Sequence, residues 1–351
     1  MKIKNVVFAL ALGAIFMACE KDDDPTLVPL GAYGNGILVS NEGPFNNGTG
    51  TVSFVSGDLT ETESAIFNTV NNANLGNVVQ SIGFADDYAY IIANVSNTIT
   101  VVDRYTFERV TVITEGLNNP RYFLYANGKG YVTNWGDPND VTDDFVAIID
   151  LSSNKVSSSI PTDFGPEKLV LSNTSIYVAH QGAYGQNNVI SVIDANSDEV
   201  TTTIPVVYVP NSMQIDSEGY LWVLSGGKPA YTQDETAGGL TKINTANNSV
   251  DISLDFETDE HPGYLGLDGS KLYYILNGEL YSMATSAATL PLESEIQDLS
   301  FYTMVIKDGM MYGTDAKDFA SNGSMAIYEL STKKELGVFE MGIIPGGVYF
   351  N

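Results

Sequence analysis

The chain predicts an all-β fold, a seven-bladed β-propeller of four-stranded antiparallel blades. Three observations carry this: a strand-and-turn unit recurring seven times at about 46-residue spacing, apolar β-branched runs in each unit, and a C-terminal strand that complements an incomplete first unit.

The repeat is clearest in strand-like runs that end in a polar residue. They read LVSN (38–41), IIAN (91–94), YVTN (131–134), YVAH (177–180), WVLS (222–225), YILN (274–277) and YGTD (312–315), with starts 53, 40, 46, 45, 52 and 38 residues apart. A second series follows each: TVSFV (51–55), TITVVD (98–103), FVAIID (145–150), VISVID (189–194), LTKIN (240–244), LYSMA (280–284) and MAIYEL (325–330). These runs are β-branched, with period-two or continuous apolar character, as buried strands require. After a turn comes a more polar strand, such as KVSSSI (155–160) or EVTTTI (199–204). A proline then introduces the next unit, in NNPRYF, FGPEKL, VPNSM, HPGYL and finally IPGGVYF. Each unit is therefore an inner strand after the proline, a second and a third apolar strand, and a polar outer strand.

The ends fit together. The first unit starts at GILVSN, a second strand lacking an inner strand, and the chain finishes on PGGVYFN, an inner strand lacking partners. Pairing the two closes the ring and removes its open sheet edges. The sixth unit, roughly 262–305, is irregular. No amphipathic helix is expected after residue 30.

Composition narrows the function. Forty-three acidic against 16 basic residues leave a net charge of −27, which repels nucleic acid and anionic lipid. With 44% hydrophobic residues the core is ample, and 20 Tyr and 33 Gly suit many short strands joined by turns. One cysteine excludes an intramolecular disulfide.

That cysteine, Cys19, ends a segment with three parts. Lys2 and Lys4 form a positive start, Val6 to Met17 an apolar run too short to span a bilayer, and Phe16-Met17-Ala18 leads to the thiol. The pattern looks like a bacterial lipobox, which makes 1–18 a lipoprotein signal peptide and Cys19 the acylated anchor. Residues 19–30, beginning Glu20-Lys21-Asp22-Asp23-Asp24-Pro25, form an acidic tether, and 31–351 the propeller. The acidic run is similar to the surface-export signal of Bacteroidetes lipoproteins, implying outer-membrane anchoring with exposure at the cell surface.

The loops between second and third strands share a face with the loops entering the inner strands, and they are long. Phe45, Trp135, Tyr184, Tyr231 and Phe319 each stand on one of five such loops, among Asn, Gln and Gly residues that include Asn46, Asn47, Gln181 and Gln186. The proline loops add Arg121, Glu167, Asn211 and Tyr264 near the mouth of the channel. Any one of these aromatics could merely pack its loop down. Five on one face argue for a surface that binds a large, partly apolar, amide-rich ligand. Asn134, Asp137 and His180 complete the expected contacts, His180 because it ends its strand where other units carry Asn and so points at the mouth.

Catalytic signals are weak. His180 and His261 are the only histidines, and Asp137, Asp140, Asp143 and Asp144 match no EF-hand spacing, so they read as solvated loop acids rather than a calcium site. No GxSxG, HExxH or glycine-rich phosphate loop occurs. Glu167, His180 and Asp315 are the sole candidates for a lyase or lactonase centre; the chain is expected not to be an enzyme and to need no cofactor of its own.

The form YVxN…TIxVVDxxT, seen in residues 91–106 and 189–201, resembles the YncE-like seven-bladed propellers. With the lipobox and acidic run, the chain is similar to the Bacteroidetes surface lipoproteins of that class, among them the BtuG-like proteins. The resemblance implies capture of a corrinoid of the cobalamin class and its transfer to a TonB-dependent outer-membrane transporter. Read from the residues alone, a protein- or glycan-binding propeller remains the alternative.

Overall fold

The computed structural model describes residues 31–45 and 48–351. The signal peptide at 1–18, Cys19 with the tether at 19–30, and Asn46 and Asn47 lie outside the described residues. Seven antiparallel sheets are arranged as consecutive blades. The first is closed by the C-terminal strand: Pro345–Phe350 pairs with Gly36–Asn41, which pairs with Thr51–Ser56 and then Thr62–Glu63. Asn351 latches this closure, its side chain donating to the carbonyls of Tyr33 and Arg104 and accepting from Arg104 Nε at 2.6 Å.

Blade three shows how the sequence pattern becomes packing. Its second and third strands, Lys129–Asn134 and Phe145–Asp150, are buried on both faces over their central residues, whereas the outer strand Lys155–Pro161 is mostly exposed and anchored by Ile160. Double-sided burial explains why these runs are continuously apolar: every blade is covered by a neighbour on each face. The hydrophobic core is accordingly divided into seven clusters, one between each pair of adjacent blades. Between blades two and three, Phe123 stacks on Tyr90 at 4.4 Å and fills the space beside Gly83. A Cβ on Gly83 would come within 2.3 Å of the Phe123 ring, so the glycine is a packing requirement.

Two details differ from expectation. The sixth blade has three strands, Gly263–Asp268, Lys271–Leu276 and Glu279–Ala284, and only an isolated bridge between Leu280 and Ile296 stands where a fourth would lie. The segment beyond Ala284 contains Pro291 and lacks an alternating pattern, so it cannot sustain a ladder. Glu295 ties this segment down through Lys271 and Lys333 instead. The other difference is a six-residue helix, Ile66–Asn71, beside the two-residue outer strand of blade one; it inserts Ile66 and Phe67 into the core between blades one and two.

The entry to the inner strands is built alike in every blade but the seventh, whose inner strand Thr303–Lys307 pairs in unbroken register. Val79 and Ser81, Pro120 and Phe123, Pro166 and Leu169, Pro210 and Ser212, and Gly263 and Gly266 flank register shifts against the second strand. In blade one the shift skips Gly346. A β-bulge frees residues from the ladder and re-aims their side chains. Just before it, Val78, Val209 and Ile344 hold left-handed φ values of 58°, 60° and 55°. β-Branched residues rarely adopt that conformation, and each costs on the order of 1–3 kcal/mol that the surrounding fold must offset.

Candidate functional site

The bulges deliver their residues to one place. A cavity of about 990 Å³ opens on the face of the long loops, and its lining includes Gln80, Arg121, Tyr122, Glu167, Lys168, Asn211, Gly263, Tyr264 and Gly346 from the bulged inner strands. These form the floor at the propeller axis. The walls come from loops after the second strands, which bring Phe45, Trp135, Gln181, Tyr184 and Tyr231 to the same cavity.

The floor is held by a buried ion pair. Arg121 donates from both Nε and a terminal nitrogen to the two carboxylate oxygens of Glu167, each at 2.9 Å, with 12% and 6% of the side chains exposed. The bidentate geometry matches guanidinium to carboxylate in one plane. The Arg121 guanidinium also lies 3.8 Å from the centre of the Trp135 ring, so one cation organises floor and wall together. Trp135 meets Tyr184 edge-on at 6.3 Å, while its own indole N–H is enclosed and unpartnered. Across the cavity, the Tyr302 hydroxyl donates to Glu42 at 3.0 Å, and burial pushes the Glu42 carboxyl above its ordinary value. Gln80 donates to the Tyr122 hydroxyl at 3.3 Å, and Asn211 donates to the Pro262 carbonyl at 2.8 Å.

The rim is aromatic and open. Tyr184 is 72% and Tyr231 80% exposed, and Phe45 is 61% exposed. Large apolar groups gathered at one rim and left in water mark a site of contact. Phe319, equally exposed in kind, does not line the cavity; it packs edge-on against Tyr302 at 5.6 Å, which does.

Of the expected contacts, Phe45, Arg121, Trp135, Gln181, Tyr184, Asn211 and Tyr231 thus converge on one cavity, and Phe319 stands just behind it. Three others stand elsewhere. Asp137 sits exposed in its loop, where its carboxylate accepts from the backbone and side chain of Asn139. Asn134 is fully buried, donating to the Val132 carbonyl and accepting from the Asn118 backbone N–H. His180 does not point at the mouth: it is fully buried, with Nε2 2.9 Å from Ser191 Oγ on the neighbouring strand. Asn41 makes the same diagonal link to Ser53 at 3.0 Å. The polar residue closing these second strands is therefore a clasp between strands, and the equivalence of His180 with Asn points inward. Glu167, His180 and Asp315 form no common centre, since Glu167 is engaged by Arg121, His180 is enclosed, and Asp315 accepts from the Lys317 backbone. Among the described residues, no group of three or more acids, histidines or cysteines is placed to hold a metal ion.

Two buried groups beside this face oppose each other in pH. Burial pulls the His180 imidazole from 6.5 to about 4, so the unfolded chain takes up a proton that the folded chain refuses. Stability then falls as pH drops from about 6.5 to about 4. Burial, reinforced by Asp143, Asp163 and Asp140, raises the Asp144 carboxyl from 3.8 to about 7. There the folded chain retains a proton that the unfolded chain has lost, and stability falls as pH rises from about 4 to about 7. Urea denaturation across pH 4–7 separates them. His180→Asn is expected to make the protein gain stability on acidification, and Asp144→Asn to make it lose stability more steeply than the parent. Parallel pH profiles for all three proteins would contradict both assignments.

The sequence model of a family described as a domain of unknown function, DUF5074, matches residues 35–259, well over half of the chain. No curated protein matches. Among solved structures, the chain is similar to hydrazine synthase of Kuenenia stuttgartiensis, with a TM-score of 0.62 at 16% identity over 93% of this chain and 99% of that one. It is also similar to the computationally designed protein Ika8, with a TM-score of 0.58 at 9% identity over 90% of this chain and 96% of that one. A third likeness is to the dihydro-heme d1 dehydrogenase NirN in complex with DHE, with a TM-score of 0.55 at 12% identity over 90% and 75% of the two chains. At such identities these likenesses are of fold.

Proposed function

We propose that this chain, which belongs to the DUF5074 family, is a non-catalytic surface lipoprotein that captures a corrinoid of the cobalamin class and hands it to a TonB-dependent outer-membrane transporter. The observation that carries the reading is the cavity itself. At about 990 Å³ it stands at the upper end of ligand-site volumes, of order 300–1,000 Å³, so it suits a ligand broader than most. Exposed Phe45, Tyr184 and Tyr231 supply flat apolar surface, and Gln80, Asn94, Asn119, Gln181 and Asn211 supply amide partners around it. A corrin ring is wide, partly apolar and edged with amides, which is the complementary chemistry. The proposed anchor at Cys19 and its acidic tether would hold the propeller at the outer surface, mouth free to meet a transporter.

Isothermal titration of the propeller, beginning after Asp24, with cyanocobalamin tests this. One-to-one binding is expected, weakened about 10- to 100-fold by Trp135→Ala or Tyr184→Ala, the range for an aromatic anchor of a binding site. Circular dichroism and melting should show both variants folded. Absence of corrinoid binding by the parent would discard the reading in favour of a protein- or glycan-binding propeller working through the same face.

A further inference from the structure

We infer that the floor of the cavity contains an anion subsite centred on Lys168, which reads a phosphodiester or carboxylate carried by the ligand. Its ligand class rests on the corrinoid reading above, while the subsite itself rests on the arrangement of charge.

Besides His261, which is held by Glu235 and the Gly226 carbonyl, the cavity is lined by two basic and two acidic side chains, and they are not evenly matched. Arg121 is consumed by the bidentate contact with Glu167. Glu42 is engaged by the Tyr302 hydroxyl, and burial favours its neutral form. Lys168 is left over. Among the described residues no carboxylate lies within ion-pairing distance of its ammonium, and it makes no hydrogen bond. Its Nζ instead rests 3.7 Å from the centre of the Tyr122 ring, the weaker electrostatic partner of the two kinds.

The other lysines are placed differently. Lys129, Lys228, Lys271, Lys307 and Lys333 pair with carboxylates, Lys155, Lys317 and Lys334 stand exposed in water, and the buried Lys242 donates to the Thr285 carbonyl. Among the described lysines only Lys168 is withdrawn from the surface with neither kind of partner. Lys168 is placed by the bulge after Pro166 in a cavity lined by tyrosines, amides and glycines besides the charged Glu42, Arg121 and Glu167. Burial pulls its pKa down, against the opposing influence of Tyr349 and Glu167 and with a smaller push from Arg121. The Glu167 carboxylate is already matched by Arg121, so an anion on the ligand is the partner this ammonium can still take. The groups facing it are Tyr349, Glu167, Arg121 and Tyr122; the neutral hydroxyls of the tyrosines are donors suited to an anionic oxygen. On the far side of the axis Gly263 leaves open space and Gly346 adds no side chain, so an arm of the ligand can descend past the rim to this floor.

The test compares parent and Lys168→Gln protein, both checked for an unchanged melting transition. Four probes are titrated: cyanocobalamin, which carries a phosphodiester; cobinamide, the same ring without it; cobyric acid, which ends in a carboxylate; and inorganic pyrophosphate. Lys168→Gln is expected to weaken the phosphodiester or carboxylate corrinoid about 10- to 100-fold, the scale of a hydrogen bond to a charged group, and to leave cobinamide unchanged. Which of the two acidic ligands responds identifies the anion read. Equal loss for cobinamide and cyanocobalamin, or no loss for either acidic ligand, overturns the subsite. If the parent binds no corrinoid, the corrinoid reading fails by itself. Pyrophosphate then decides the subsite: saturable binding to the parent that Lys168→Gln abolishes supports it, and none by the parent overturns it.

Discussion

Replacing Arg121 by Met is expected to remove about 3–5 kcal/mol of unfolding free energy, the usual cost of stranding one member of a buried ion pair. Glu167 would be left 6% exposed without its bidentate partner, and Lys168, outside hydrogen-bond reach, cannot replace that contact. The double variant Arg121→Met/Glu167→Leu should recover most of the loss, because neither charge then needs solvation. Arg121→Lys should recover little, since one ammonium cannot reproduce two coplanar hydrogen bonds while covering the Trp135 ring. Chemical denaturation of the four proteins measures this. A single variant within about 0.5 kcal/mol of the parent, the ordinary range for surface changes, would show that channel water already solvates the pair.

An effect as large is expected from deleting residues 345–351. Those residues supply the inner strand of blade one, the Val348 contribution to the core between blades seven and one, and the Asn351 latch. Without them Gly36–Asn41 presents an unpaired edge of six residues that are all buried in the intact ring. The truncated chain should aggregate on size-exclusion chromatography and lose the parent's cooperative melting transition. A monodisperse truncated protein melting near the parent temperature would mean that ring closure contributes little.

The sequence exposes the fold because each blade buries the same two strands on both faces, so the apolar runs repeat almost unbroken. The sixth blade escapes this reading: LYSMA resembles its counterparts, but nothing after it does, and absence of a strand has no positive signature. The helix at Ile66–Asn71 is too short to show a helical period. In the site, the rim aromatics are legible because large rings in long polar loops need a reason to be there. The proline before five of the inner strands likewise points to Arg121, Glu167, Asn211 and Tyr264. Tyr122 and Lys168, one residue further on, are hidden from the same logic. Strict alternation sends successive strand residues to opposite faces, and only the bulge lets Arg121 and Tyr122, or Glu167 and Lys168, share one cavity. His180 misleads for a related reason: its place at a strand end is visible, but whether a strand end faces water or a neighbouring hydroxyl is decided by Ser191 across the ladder.

The bulges at the head of the inner strands have an evolutionary consequence. A residue inside a bulge carries no ladder register, so altering it leaves strand pairing and the seven inter-blade cores in place. A position such as Gly263, where an added side chain meets nothing, can drift singly, and the Arg121–Glu167 pair can be exchanged as a unit. Proteins built on such a ring are thus free to diverge in what they recognise long before they diverge in how they fold, with selectivity accumulating at a handful of sites on an unaltered frame.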